Sequence, residues 1–421
     1  MAFVFLFMNV TSLVDIYVPR NNFKIAMQNT LNFENTQIAF SSKSTTQLKK
    51  AEWLFSVVKK AWLTNLAKSI TNFLLRIGFP IEPILKQTVF EQFCGGETIV
   101  QCEGTVNSLF QNGGVHSILD YSIEGKETEN FFDGTLETML KICKYGDGSP
   151  EVPFLVFKPT GMGRFKIYEK VSTQIDLNSD EALEWERIQK RFDAVCSAVA
   201  NTNFLKIMVD AEESWIQDTI DTLVEEMMVK YNTERTVVFN TVQMYRWDRL
   251  SYLQRMYSFG QKNNIRVGVK LVRGAYMEKE RERAFKKGYI SPICEDKRAT
   301  DINFDEGIHF CLNHLDVFDI FAGSHNEMSC QKLSHSLKEE GISKDDERIW
   351  FGQLYGMSDH ISFNLANSGY NTAKYVPFGP VREVVPYLFR RAEENTSVGS
   401  QTSRELFFIK KELLRRKNER E

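Results

Sequence analysis

Positive charge is not in surplus in this sequence. Across 421 residues, 52 Lys and Arg stand against 55 Asp and Glu, a formal net charge of −3, whereas a general nucleic-acid binder gathers a basic excess on one face. Nucleic acid is therefore not an expected partner. Glycine (24) and proline (10) are scarce, which argues against long disordered linkers. The cysteines, at 94, 102, 143, 196, 294, 311 and 330, are seven, scattered, and contain no Cys-x-x-Cys. In a chain this long they read as reduced, packed thiols in a reducing compartment. The six histidines include no His-Glu-x-x-His, and His309 and His314 stand five apart, off a common helix face; no metal site is expected. No stretch reaches the ~18 uncharged apolar residues of a membrane span. Met1–Val14 is apolar but has no basic leader, the first arginine being Arg20, so a signal peptide is not expected and residues 1–26 read as an extension ahead of the folded body.

What is present is an ordinary globular balance, 43% hydrophobic and 25% charged, in a chain long enough to bury a large core. From Gln47 to Ile77 the apolar positions Leu54, Val58, Trp62, Leu66, Ile70, Phe73 and Ile77 keep steps of three and four. That spacing predicts one long amphipathic helix ended by Gly78 and Pro80. After Gly113-Gly114 the pattern changes to short apolar, β-branched runs at 116–121, 154–157, 205–210, 236–239, 266–272, 317–321, 350–354 and 373–376, separated by helix-period segments. Continuous apolar character suits strands buried on both faces of a parallel sheet. Eight strands, each followed by helix, predict an α/β fold, a (β/α)8 TIM-type barrel preceded by an N-terminal helical segment. An open doubly wound sheet is the rival, weakened because Gly161-Met162-Gly163 lacks the third glycine of a dinucleotide fingerprint. The chain divides into an extension over 1–39, a helical region over 40–114, a barrel over 115–396 and a basic C-terminal helix over 397–421. In that last helix Leu406, Ile409, Leu413 and Leu414 recur at helical spacing. Its basic face is either solvated while the helix packs on the body, or set against anionic lipid.

Chemistry in such a barrel sits at the C-terminal strand ends. Those ends deliver Lys158, Asp210, Gln243, the run Lys270 to Tyr276, Ser324-His325, Leu354 and Tyr375. The set is rich in donors and cations, with no strong nucleophile and no Ser-His-Asp order. On the last barrel helix Tyr387, Arg390, Arg391 and Glu394 fall at i, i+3, i+4 and i+7, one helical face. Adjacent arginines offer a fork that fits a carboxylate; the plainer reading is a surface stripe in which Arg390 pairs with Glu394. Ser324-His325 opening a helix could present donors to a phosphate, and Gly274-Ala275 permits close backbone approach to a ligand.

KLVRGAY at 270–276, DAEE at 210–213 and YLFRRAEEN at 387–395, with Leu354-Tyr355-Gly356-Met357 and Tyr375-Val376-Pro377, resemble the proline dehydrogenase family, in that family's order around its flavin-bearing barrel. The resemblance covers about 115–396. It implies FAD-dependent oxidation of L-proline to pyrroline-5-carboxylate, the first step of proline degradation to glutamate, with electrons passed to a membrane quinone. By position, Arg390, Arg391 and Lys158 would clamp the substrate carboxylate, and Tyr276, Leu354, Tyr375 and Tyr387 would wall its ring. Asp210 would orient the clamp and Lys270 would face the reactive edge of the flavin. Ala211, Gln243, Arg273, Gly274, Ala275, Ser324, His325 and Glu394 would hold FAD. Two departures stand out: many members place Arg at Lys270, and Pro159 restricts Lys158 to extended backbone. Tyr375 favours proline over hydroxyproline, because relatives acting on the latter carry a smaller residue there. With no room for a second dehydrogenase domain, the product would go to a separate pyrroline-5-carboxylate dehydrogenase. The expected location is cytoplasmic, or peripheral at the inner face of the membrane. The alternatives are a hydroxyproline dehydrogenase of the same fold, a Schiff-base aldolase using Lys158, and a non-catalytic binding barrel.

Overall fold

The computed structural model describes residues 31–77, 79–123, 125–397 and 399–419; the apolar start of the chain lies outside them. Eight strands close into one barrel: β1 (His116–Tyr121), β2 (Phe154–Phe157), β3 (Lys206–Val209), β4 (Val238–Gln243), β5 (Val267–Val272), β6 (Phe318–Gly323), β7 (Ile349–Leu354) and β8 (Thr372–Phe378). Every pairing is parallel and joins neighbours in sequence, and β8 returns to β1 with Ile118 opposite Tyr375. That closure excludes the open sheet. The (β/α)8 fold expected from the pattern is the fold observed.

Alternate side chains fill the interior. Ile118, Phe154, Val156, Met208, Phe239, Phe321, Trp350, Ala373 and Tyr375 form one inner cluster. The Phe154 ring meets Phe239, Phe321 and Trp350 edge-on at 5.6, 5.4 and 5.1 Å. Gly352 makes the room: a Cβ there would lie 2.1 Å from the Phe321 ring. β4 runs past the expected end at Phe239. Asn240 and Thr241 resemble turn residues in the sequence, but their side-chain donors find buried partners. Asn240 Nδ2 donates to Asp221 Oδ1 (2.8 Å), and Thr241 Oγ1 donates to Val209 O (2.6 Å). Its start is delayed to Val238 because the Asn232 side chain accepts from Val237 N and Val238 N.

The labelled helices are α1 (Thr45–Val58), α2 (Ala61–Arg76), α3 (Ile99–Gly113), α4 (Glu129–Asp147), α5 (Phe165–Ser172), α6 (Ser179–Ala200), α7 (Ser214–Tyr231), α8 (Arg249–Asn263), α9 (Met277–Lys287), α10 (Lys297–Leu312), α11 (Glu327–Glu339), α12 (Asp359–Asn367), α13 (Val385–Ser397) and α14 (Gly399–Asn418). The single helix expected over Gln47–Ile77 is in fact two, broken at Lys59-Lys60. α1, opened by a Ser44–Gln47 capping box, buries Leu48, Ala51, Leu54, Phe55 and Val58 in one cluster with Phe408 and Ile409 of α14. α1 packs chiefly on α14, whereas α2 packs chiefly on α13, which α1 also touches. Two different partners require two helix axes, which periodicity alone cannot show.

α14 is tied to the body. Glu412 is fully buried and accepts from Arg415 and Arg416, and Arg416 also donates to Phe40 O and Lys43 O. Arg404 forks onto Glu327 at 2.9 and 3.0 Å. All seven cysteines are free and buried. Among the described residues, no helix is long and apolar enough to cross a membrane.

Candidate active site

A charged layer caps the aromatic interior at the C-terminal strand ends. Lys158 follows β2 and, held by Pro159, keeps extended backbone (φ −94°, ψ 131°). Its Nζ donates to Asp210 Oδ2 at 3.0 Å. Asp210 follows β3 and is fixed by its own N–H, which donates to Phe157 O at 3.0 Å. Lys270, buried on β5, donates to the other Asp210 oxygen and to the Tyr375 hydroxyl at 2.7 Å. Burial alone would raise the Asp210 carboxyl, but Lys270 and Lys158 pull it down to about 2. It is therefore an anion between two cations. Burial lowers Lys270 and Asp210 opposes that; burial pushes the Tyr375 phenol well up and keeps it neutral.

One acid in this layer escaped the sequence reading. Asp120, buried near the end of β1, accepts from Ser122 Oγ at 2.7 Å and acts electrostatically on Lys270 and Tyr375. Its signal was available: a carboxylate inside an otherwise apolar strand. Lys374 was missed for the converse reason. It lies in the apolar run of β8 but on the outer face, fully buried, pairing with Asp359 at 2.9 Å and donating to Met357 O at 2.7 Å. Asp359 also pairs with Lys43 at 2.8 Å. Those contacts hold the chain that leaves β7.

α13 supplies the second wall. Tyr387 and Arg391 are buried, and the Arg391 guanidinium lies 5.0 Å above the Tyr387 ring. Arg390 is half-buried on the same helix. Leu354, the last residue of β7, joins the two walls: it packs against the inner cluster holding Tyr375 and against the cluster holding Tyr387. The Glu394 side chain lies outside the described residues, so the expected Arg390–Glu394 pairing does too.

The remaining predicted residues line the ends of β3 to β6. Gln243 closes β4 and donates from Nε2 to Glu212 O at 2.6 Å, with buried Ala211 alongside. Arg273 donates to Asp301 Oδ1 (2.7 Å), Ser324 Oγ (2.8 Å) and Ser329 Oγ (2.9 Å), its guanidinium 4.4 Å over the Phe304 ring. Burial pushes His325 down to about 3, so its imidazole is neutral. Its Nδ1 lies 2.8 Å from Ser358 Oγ. Gly274 adopts φ +129°, where a Cβ would strike the Tyr245 ring at 2.6 Å; Gly274 and Ala275 are both exposed. Tyr276 caps α9, with Lys279 Nζ 5.8 Å over its ring. Direct contact thus joins Lys158, Asp210, Lys270 and Tyr375, joins Tyr387 to Arg391, and joins Arg273 to Ser324.

The proline dehydrogenase family model matches residues 102–404, a span that takes in both walls. The chain belongs to the proline dehydrogenase family. It is 30% identical to the mitochondrial proline dehydrogenase 1 of Dictyostelium discoideum over 96% of this chain and 77% of that one. It is 34% identical to the carbapenem antibiotics biosynthesis protein CarD of Pectobacterium carotovorum subsp. carotovorum, over 77% of this chain and 83% of that one. Among solved structures, proline utilization A from Bdellovibrio bacteriovorus matches with a TM-score of 0.67 at 17% identity, over 86% of this chain. That likeness is one of fold, and this chain spans 41% of the larger protein. Membership of the proline dehydrogenase family makes the chain a flavin-dependent oxidoreductase.

Proposed function

We propose that the chain oxidises L-proline to pyrroline-5-carboxylate, with FAD held along the ends of β3 to β6 and its electrons passed to a quinone. The observation that carries this reading is the unbroken Lys158–Asp210–Lys270–Tyr375 layer, which meets the arginine helix through Leu354.

The donor set suits a flavin. It offers two cations (Lys270 and Arg273), the Gln243 amide, the Ser324 hydroxyl, a neutral imidazole at His325 and the exposed Gly274-Ala275 pair, with Ala211 and Glu394 completing the group. Bound FAD would supply the acceptor for a hydride from the ring carbon next to nitrogen, with the nitrogen reacting as the neutral amine and its remaining proton released to solvent. The protein does the rest by position and charge. Arg390, Arg391 and Lys158 hold the carboxylate, charge-assisted bonds that fix the ring's approach. Asp210 acts on the reaction by holding both lysines in place, and Lys270 places positive charge where reduction adds negative charge. Tyr276, Leu354, Tyr375 and Tyr387 wall the ring and exclude water.

Two rival chemistries find less support. A Schiff-base lysine must be neutral, and Lys158 is ion-paired to Asp210. A hydroxyproline site needs a free partner for the ring hydroxyl, yet the Tyr375 oxygen accepts from Lys270 and donates to Met208 Sδ at 3.0 Å. The product then passes to a separate pyrroline-5-carboxylate dehydrogenase, and the enzyme works in the cytoplasm or against the inner face of the membrane. The test is the absorption spectrum of the purified protein. A flavin band that bleaches on adding L-proline, with matching dye reduction, is expected. A flavin-loaded protein that L-proline leaves oxidised would overturn the reading.

A further inference from the structure

The apolar stripe that starts at Leu54 does not stay inside the protein. Along α2 it continues through Trp62, Leu66, Ile70, Phe73 and Ile77, spaced so that all five share one helix face. All are exposed, from 48% at Leu66 and Ile70 to 65% at Trp62, and Phe79 and Ile84 in the segment that follows are exposed at 49% and 60%. The packed side of α2 is the other one: Thr71 is buried, Leu74 joins the cluster shared by α1, α13 and α14, and Lys68 Nζ sits 5.8 Å over the Phe389 ring. Single exposed apolar residues are ordinary on a protein surface, but a continuous row marks an interaction site.

Charge identifies the partner. Between Glu52 and Glu82 the sequence has no acid, while Lys59, Lys60, Lys68 and Arg76 are all cationic. Lys59, Lys60 and Arg76 are exposed beside the row. A twofold pairing of two copies through this face would set those cations against their own kind. An anionic headgroup layer neutralises them, and an apolar face flanked by Lys, Arg and Trp is the form of a helix lying in a lipid interface. α14 is the weaker candidate: Arg404, Arg415 and Arg416 are paired within the protein, and its exposed large apolar side chains among the described residues are two, Phe407 and Leu414.

We propose that this face of α2 is a docking surface for an anionic lipid bilayer, with the apolar row sunk to the acyl boundary and Lys59, Lys60 and Arg76 at the phosphates. α2 packs directly on α13, which carries Tyr387, Arg390 and Arg391, so docking sets the candidate site one helix away from lipid. The surface stands on exposure and charge; its use, delivery of electrons to a lipid-soluble quinone, rests on the activity proposed above.

The experiment is co-sedimentation of the full chain with vesicles of phosphatidylcholine, alone or mixed with phosphatidylglycerol. Binding to the mixed vesicles is expected, falling as salt is added. Ile70→Ser with Phe73→Ser weakens it at least about tenfold, by removing two buried apolar side chains. Lys59→Glu with Lys60→Glu weakens it by roughly tenfold or more on anionic vesicles. Proline-dependent dye reduction stays at the wild-type rate in both variants. Wild-type protein that binds neither vesicle, binding that survives both variants, or a dimer in solution dissolved by Ile70→Ser with Phe73→Ser would each overturn the proposal. Vesicle binding without proline oxidation would sink the activity and leave the docking surface standing.

Discussion

Lys270 donates from Nζ to the Tyr375 hydroxyl at 2.7 Å, joining β5 to β8 across the mouth of the barrel. The same hydroxyl donates to Met208 Sδ on β3, so both of its strong hydrogen-bonding directions are taken. The phenol is a wall whose polar end faces the protein.

That wall sets the first prediction. Tyr375→Ser removes the ring and opens space for a substrate hydroxyl. The ratio of kcat/KM for hydroxyproline to that for proline should rise by roughly ten- to a hundredfold. Tyr375→Phe keeps the wall and removes one acceptor from Lys270. It should leave that ratio unchanged and lower kcat/KM for proline about fivefold, the loss of one hydrogen bond of ~1 kcal/mol. An unaltered ratio in the serine variant would mean that another residue limits the ring's size.

Asp210 carries the second. It is the shared anion of two lysines, with side chains 14% exposed for Asp210, 21% for Lys158 and 5% for Lys270. Asp210→Asn leaves both cations without their counter-charge in a poorly solvated place. The expected loss of stability is about 3 kcal/mol, read as a lowered urea midpoint with an unchanged slope. Proline turnover should fall as well, because both lysines lose their anchor.

How far the sequence reveals this site follows from which groups face which way. The strands are legible because a parallel barrel buries both faces, leaving runs such as Phe154–Phe157 wholly apolar. Lys158 and Asp210 stand out as charges at the ends of those runs, and Lys270, inside β5, stands out only through the KLVRGAY run that it opens. Asp120 and Lys374 did not, since a charge inside an apolar run can face the barrel axis, the helices or a loop, and only the register separates these. The break at Lys59-Lys60 was hidden for a related reason. The three-and-four stripe runs unbroken from Leu54 to Ile77, but Leu54 and Val58 face α14 while Trp62 to Ile77 face outward. Periodicity reports which residues share a face and not what covers it.

Glu212 gives a prediction in pH. Its carboxylate accepts from Thr160 N at 2.8 Å and Thr160 Oγ1 at 2.9 Å, tying the β2 loop to the β3 loop. Burial nevertheless raises it from 4.5 to about 7. Across that interval the folded protein holds a proton that the unfolded chain has released, so this group makes stability fall as pH rises, levelling off above about 7. Glu212→Gln can keep both contacts, with its amide oxygen accepting from Thr160 N, and does not titrate. The stability of the variant relative to wild type should therefore grow by about 3 kcal/mol between those two pH values. Urea unfolding at several pH values reads the difference directly, and a constant offset would show that Glu212 ionises normally.

The arginine pair provides the most direct test of the substrate clamp. Arg391 is buried against the Tyr387 ring and Arg390 is half-buried one residue before it, so neither is a freely solvated surface charge. Replacing either with methionine keeps much of the aliphatic stem and removes the guanidinium. Loss of one charge-assisted bond of about 1.5–3 kcal/mol should weaken proline use by roughly 10- to 150-fold. The loss should appear chiefly in KM if the bond is equally strong before and during hydride transfer, and in kcat if it tightens in the transition state. Flavin content should change little, because the pair lies on α13 and the candidate flavin residues with described side chains lie on the ends of β3 to β6. A variant with normal proline affinity and a normal rate would remove that arginine from the clamp. A variant that loses flavin instead would move α13 from the substrate to the cofactor.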